Sequence, residues 1–333
     1  MSADQGRERP PFVLGARRGL EACASAKGTF AILALDHRQN LRRELRPADP
    51  ESVTYGEMVA FKRAVVRALA PVATGTLLDP EVGAAQCIAD GSLPARAGLL
   101  VAIEATGYTG PSSARVSRVL DGWSVEKAKR LGASAAKLLV YYHPEAANAA
   151  DQERLVADVA ADCRAADLAL FVEPLSFSIV DGKPLTGEER RHVVVETARR
   201  LTAIGGDVLK AEFPYDASVT DRSRWIDACA ELDAASERPW VLLSGGVDEA
   251  TFAEQVATAC GAGASGVAVG RSVWADAATA TDQTERDRFL RTTATDRLRG
   301  IVRLVEATGR PWFDRPNGTT VARAPGDGWY REY

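Results

Sequence analysis

Histidine is scarce in this 333-residue chain, with three in all, and cysteine is little more common, with five. A zinc site needs several histidine, cysteine or carboxylate ligands brought together. His37 follows an apolar run, His143 lies just beyond another and His192 sits in a helix-like stretch. All three read as ordinary surface or supporting side chains, so no metal is expected, and no other cofactor. Cys23, Cys87, Cys163, Cys229 and Cys260 are scattered singly, with no CxxC pair and an odd total, and read as reduced, mostly buried small hydrophobes. Long apolar runs are missing too: no uncharged run reaches membrane-spanning length, and the polar start MSADQGRERPPF has no signal-peptide core. A cytoplasmic location with no membrane partner is expected. The net charge of −4, with no Lys/Arg-rich run interleaved with aromatics, gives no basic field for nucleic acid.

What is present is a globular balance, 46% hydrophobic and 26% charged. Eight short apolar runs alternate with turn residues and helix-like stretches: 29–36, 75–80, 98–104, 134–142, 168–174, 207–214, 240–246 and 265–271. Between them apolar residues recur every three or four positions, as in 126–131, 153–166, 188–204 and 248–260. This alternation predicts βαβ units and a parallel sheet. The unit count suits a closed (β/α)8 TIM barrel of the α/β class better than an open doubly wound sheet, and no GxGxxG follows the first run. The whole chain, 1–333, reads as one barrel domain. A helix over 15–26 would close the bottom, and a long helix over 282–307 precedes the tail segments GRPWFDR and GDGWYREY. Trp312, Phe313, Trp329 and Tyr330 there have two places to pack, their own barrel or a neighbouring copy in a homo-oligomer.

Ionisable residues interrupt these runs, mostly at their carboxyl ends: Asp36, Asp79, Glu104, Lys137, Glu173, Lys210 and Glu212. Barrel active sites are built at that face. An isolated buried charge costs several kcal/mol, so charges converging there read as a polar catalytic pocket, or else as ion pairs holding the interior together. Two-residue alternation puts Lys210 and Glu212 on one face with Leu209, Ala211 and Phe213 outward, and gives Lys137 the outward neighbours Ala136 and Leu138. It also turns His37 away from Asp36.

A buried lysine suits amine nucleophilic chemistry. A free lysine near pKa about 10.4 is almost wholly charged at neutral pH, and burial with a second cation, Lys137, lowers that value towards reactivity. The resulting iminium is an electron sink, so the bond between C3 and C4 of a ketose breaks once a base takes the C4 hydroxyl proton. Glu173 is the first choice for proton shuttling, and Asp36 can orient Lys137 or a hydroxyl. Ser244-Gly245-Gly246 after the seventh run and Gly270-Arg271 after the eighth stand where many barrels bind phosphate. Glycines allow close backbone approach and Arg271 adds a charge-assisted contact.

The segments ALDHRQNLR, LLDPEVG, EATGY, AAKLLVYYHP, FVEPLSF, DVLKAEFP, LLSGGV and GVAVGRSVW, spread over roughly 28–275, resemble the Schiff-base aldolases related to tagatose-1,6-bisphosphate aldolase and sulfofructose-phosphate aldolase. DVLKAEFP is the most specific. The resemblance implies a class I aldolase that cleaves a ketose 1-phosphate or 1,6-bisphosphate reversibly to dihydroxyacetone phosphate and an aldehyde. It implies Lys210 as the Schiff-base lysine, Glu173 as the acid/base group, Asp36 and Lys137 as partners, and Ser244, Gly245, Gly246 and Arg271 around the phosphate. One departure stands out: the family more often has Asp-Gln-Arg where this chain has Asp36-His37-Arg38.

The distal end of the substrate, whether phosphate, sulfonate or hydroxyl, has Arg38, Arg96 and Arg115 as candidate readers; Arg38, Asp79, Glu104 and Glu212 are further candidate substrate contacts, with no end of the substrate assigned. Two other readings of the same residues are a sugar-phosphate isomerase or epimerase without a Schiff base, and a sugar-phosphate-binding regulator without turnover.

Overall fold

Eight parallel strands close on themselves in sequence order: β1 (Phe30–Leu35), β2 (Gly75–Leu78), β3 (Gly98–Ala102), β4 (Ala135–Tyr141), β5 (Ala169–Leu175), β6 (Val208–Ala211), β7 (Trp240–Leu243) and β8 (Gly266–Val269). The barrel shuts where Phe30–Leu33 of β1 pair with Gly266–Val269 of β8. This computed structural model describes residues 13–280, 282–315, 327 and 329–331. The segment MSADQGRERPPF and half of GDGWYREY therefore lie outside the described residues.

The helices are α1 (Leu14–Cys23), α2 (Gln39–Leu45), α3 (Tyr55–Leu69), α4 (Ala84–Ala89), α5 (Val125–Leu131), α6 (Ala149–Ala165), α7 (Gly187–Ile204), α8 (Arg222–Ala235), α9 (Glu249–Ala262), α10 (Arg271–Ala278), α11 (Gln283–Phe289) and α12 (Thr295–Thr308). Local chemistry starts several of them. Thr54 and Glu57 form a reciprocal capping box on α3, and Ser124, Asp221 and Asp248 cap α5, α8 and α9. None of the described helices is long and apolar enough to cross a membrane.

Strand alternation divides the core in two. Leu33 and Leu35 of β1, Ala136, Leu138 and Val140 of β4, and Trp240 and Leu242 of β7 pack outward with the helices. Phe30, Ile32, Ala34, Leu77, Leu100, Ala135, Phe171, Val208, Val241 and Ala268 fill the barrel itself. Phe30 and Phe171 meet edge to face at 5.7 Å, each fully buried, and burial of side chains of this size contributes about 1.5–3 kcal/mol apiece. Helix α1 seals the bottom at close range, because a Cβ on Gly98 would run into the Ala22 carbonyl and one on Gly19 into that of Ser134. Trp312 joins this inner cluster and donates its backbone N–H to the Gly28 carbonyl at 2.9 Å, so this part of the tail packs on its own barrel.

Two boundaries differ from the sequence pattern. Helix α1 stops at Cys23, short of 26, because the Ser25 hydroxyl accepts the N–H groups of Lys27 and Thr29 and turns the chain. The stretch over 282–307 is not one regular helix: a π turn at Leu290–Ala294 separates α11 from α12, with the Thr295 hydroxyl donating to the Leu290 carbonyl. After β3 the chain makes an excursion that the pattern does not announce. It is held by antiparallel bridges between Glu104 and Val119 and between Thr109 and Val116, and lies beside the barrel mouth.

Candidate active site

Apolar filling gives way at the carboxyl end of the barrel to a charged layer. Lys137, third residue of β4, stands opposite Ala102 of β3 and Phe171 of β5 and is 1% exposed. Its ammonium lies 2.7 Å from Asp36 Oδ2, 2.8 Å from Glu104 Oε1 and 2.8 Å from Glu173 Oε2. Asp36 and Glu104 accept its hydrogen bonds, whereas Glu173 Oε2 is an ion-pair partner with no aligned hydrogen bond. The other oxygen, Glu173 Oε1, lies 2.7 Å from Lys210 Nζ on β6. One carboxylate is thus shared by two buried lysines. Glu104 is fixed further by the Leu139 N–H on Oε2 at 3.1 Å and by Arg38, whose Nη2 is 3.5 Å from Oε1.

Burial works against the charge on Asp36, but Lys137 and then Lys210 outweigh it and hold the carboxyl well below the usual carboxylate range. Glu173 is lowered by the same two lysines against the same burial cost. Burial likewise opposes the Lys137 ammonium, and Asp36, Glu104 and Glu173 together raise it well above the ordinary lysine value. Lys137 is therefore a permanent cation, and Asp36 and Glu173 are anions at neutral pH.

The loops after β7 and β8 form the adjoining wall. Gly245 and Gly246 take φ of +58° and +80°, conformations open to glycine and strained for other residues. Any Cβ on Gly246 would sit 3.0 Å from Arg271 Nη2, so the guanidinium lies directly over that turn. Gly270 N–H points at the Ser244 hydroxyl at 3.4 Å and Ser272 donates to the Val247 carbonyl at 2.9 Å, which ties the two loops together. Arg271 also lies 3.4 Å from Glu44.

These groups face one cavity of about 630 Å³, within the span of small-molecule sites. Asp36, Arg38, Glu104, Lys137, Glu173, Lys210, Glu212, Ser244, Gly245, Gly270 and Arg271 all contribute to its walls. Residues 30–276 match the model of the DeoC/LacD family aldolases. The chain belongs to that family. Its relatives include a tagatose 1,6-diphosphate aldolase of Lactococcus lactis subsp. lactis, 29% identical over 90% of this chain and 98% of the relative. Another is tagatose 1,6-diphosphate aldolase 2 of Streptococcus pyogenes serotype M3, 28% identical over 87% of this chain and 95% of the relative. Among solved structures, an archaeal fructose 1,6-bisphosphate aldolase matches with a TM-score of 0.58 at 21% identity, covering 87% of this chain and 98% of that one, which speaks for the fold. The protein is an aldolase, an aldehyde-lyase on a TIM barrel. The isomerase and regulator readings fall with the family match.

Several expectations about this aldolase are corrected by its structure. Asp79 does not reach the cavity. Strand β2 ends at Leu78, and the Asp79 carboxylate turns to Lys62 of α3 while accepting the N–H groups of Glu81 at 2.9 Å and Val82 at 2.8 Å. It is a buried structural pair. Arg96 precedes β3 and so belongs to the opposite end of the barrel from the site. Arg115 packs behind the cavity wall, its guanidinium 4.7 Å from the Tyr108 ring centre, 5.3 Å from that of Tyr141 and 4.9 Å from that of Phe177. Arg38 lines the cavity but spends its donors on Glu81 Oε2 at 2.8 Å and the Glu104 carbonyl at 3.0 Å. Glu212 lines it too, with its oxygens on the Ser176 N–H at 2.7 Å and Arg190 at 3.1 Å. His37 is not turned away from Asp36: its Nδ1 comes within 4.0 Å of Asp36 Oδ1, because β1 ends at Leu35 and the alternation ends with it.

Sequence reasoning missed Gln39, Asn40, Arg43, Tyr108 and Tyr141 in the cavity walls. Only Tyr141 carried a signal, since it follows Lys137 and Leu139 at two-residue spacing on β4.

Proposed function

We propose that this aldolase cleaves a phosphorylated ketose through a Schiff base on Lys210, releasing dihydroxyacetone phosphate and an aldehyde. The observation that carries the reading is the Glu173 carboxylate held between the Lys210 and Lys137 ammonium groups. The names of its relatives favour a 1,6-bisphosphate of the tagatose or fructose type, with ketose 1-phosphates and sulfofructose phosphate in the same class. The reading takes the chain as one barrel domain acting in the cytoplasm on a small molecule.

Lys210 gives a proton to Glu173 and its free amine attacks the C2 carbonyl. The carbinolamine hydroxyl takes that proton back from Glu173 and leaves as water, giving an iminium. Glu173 Oε2, which has no aligned hydrogen bond, accepts the C4 hydroxyl proton; the C3–C4 bond breaks, the aldehyde departs and the electron pair moves into the enamine. Protonation at C3 and hydrolysis free the second product. Lys137 and Asp36 hold the reacting oxygens, and Ser244, Gly245, Gly246, Gly270 and Arg271 hold the C1 phosphate. The electrostatics support this sequence. The Lys210 nitrogen and Glu173 are charged together in the resting and iminium states and neutral together in the free-amine and enamine states, while Asp36 and Glu104 keep Lys137 and Arg38, so no buried charge is uncovered.

The test is borohydride reduction in the presence of a ketose bisphosphate, followed by peptide mapping. The adduct belongs on the peptide containing Lys210, and Lys210→Met should abolish both adduct and turnover. Label on Lys137, or comparable cleavage by the Met variant, would reject the assignment.

A further inference from the structure

His37 stands between the charged layer and the phosphate loops and has no role in the steps above. Its ring packs edge-on against Trp274, with centroids 5.3 Å apart at 75°, and Trp274 is itself anchored by its indole N–H on the Ala34 carbonyl at 3.0 Å. A Cβ on Gly270 would lie 3.2 Å from His37 Cε1, so the ring also abuts the β8 loop. Packing on two sides fixes its orientation. Nδ1 is buried without a hydrogen-bond partner and faces Asp36 Oδ1 at 4.0 Å, while 21% of the side chain stays accessible and lines the cavity. A carboxylate facing Nδ1 favours the proton on that nitrogen, which leaves Nε2 as a bare lone pair on the cavity side. Burial, with Arg271 adding to it and Asp36 opposing, keeps the ring neutral, with a pKa down to about 4.

We propose that His37 is a further substrate-binding residue: Nε2 accepts a hydrogen bond from a hydroxyl on the phosphate-bearing half of the ketose. The location decides the half. The ring touches Gly270 of the phosphate wall on one side and faces Asp36, the partner of Lys137, on the other. A ligand joined to Lys210 at C2 with its C1 phosphate at Arg271 runs past that ring. The proposal rests on the Schiff-base reading.

The experiment titrates the full-length enzyme with dihydroxyacetone phosphate under borohydride and reads the half-saturating concentration by intact mass. Alongside it, KM for glyceraldehyde 3-phosphate is measured in the condensation direction, for wild type, His37→Phe and His37→Gln. Phe keeps the stacking and removes Nε2; Gln restores an acceptor. The Phe variant should need roughly tenfold more dihydroxyacetone phosphate, the upper range for one neutral hydrogen bond. Its KM for the aldehyde should stay within about twofold, and Gln should recover most of the loss. A wild-type adduct whose half-saturation is unchanged in the Phe variant overturns the proposal alone, as does a shift confined to the aldehyde. No adduct in wild type overturns the Schiff-base reading and this proposal with it.

Discussion

Replacing Lys137 with Met would test whether one ammonium holds the charged layer together. Three carboxylates converge on Lys137 at 2.7–2.8 Å, and all of them are nearly inaccessible. Lys210 touches one of them. Breaking a buried pair by deleting one partner costs about 3–5 kcal/mol, since the remaining charge is left uncompensated. The whole stability of a domain is about 5–15 kcal/mol, so this is a large fraction. Lys137→Met should therefore lower the unfolding free energy read from urea titration at pH 7 by about 3–5 kcal/mol, while Lys210→Met, which leaves Lys137 against all three anions, should cost far less. The pH dependence has a definite sign. In wild type, Asp36 and Glu173 titrate below their ordinary values, so their contribution is present above about pH 4 and lost as pH falls through the lowered values. In Lys137→Met, the bared carboxylates repel one another in a buried layer and titrate above the ordinary values. The gap between the two proteins should then be widest above about pH 6 and shrink as pH falls to 4. Adding Glu104→Gln to Lys137→Met should recover part of the loss by removing one anion. Equal destabilisation by Lys137→Met and Lys210→Met, or a gap independent of pH, would refute the reasoning.

Arg271→Ala should raise KM for a phosphorylated ketose by roughly 10- to 150-fold, the equivalent of a charge-assisted contact of about 1.5–3 kcal/mol, with kcat much less affected; an unchanged KM would move the phosphate elsewhere. Prolonged chelation should leave the cleavage rate intact, because an iminium is its own electron sink, and activity lost to chelator and restored by zinc would overturn the mechanism. His37 titrates near 4 when folded against an ordinary 6.5, so the unfolded chain alone takes up its proton between those values. Wild type should lose about 1–2 kcal/mol relative to His37→Gln as pH falls from 6.5 to 4, with the partly accessible ring discounted, and parallel urea midpoints over that window would contradict it.

Eight apolar runs alternating with helix-like stretches were enough to specify a parallel barrel, because strand and helix periods are local properties of the chain and short βα connections leave few topologies. The same periodicity, carried along β4 and β6, aimed Lys137 and Lys210 inward, since two-residue alternation holds wherever the strand is continuous. It failed within one or two residues past a strand end. Asp79 follows Leu78 and turns to Lys62 on α3, and His37 follows β1 and turns back towards Asp36. At such positions backbone direction is set by turn hydrogen bonds and by whatever packs against the loop, and neither is written in the neighbouring residues. The fate of Arg115 was equally tertiary, since it is claimed by three aromatic rings brought together from separate segments, whereas Arg96 precedes the run at 98–104 and its place at the far end of the barrel was already legible. The sequence by itself determined which residues carry charge into the barrel. Which carboxylate meets which lysine was decided only by closing the barrel, because Asp36, Glu104, Glu173 and Lys137 come from or follow different strands and their distances exist only once all eight strands are in register.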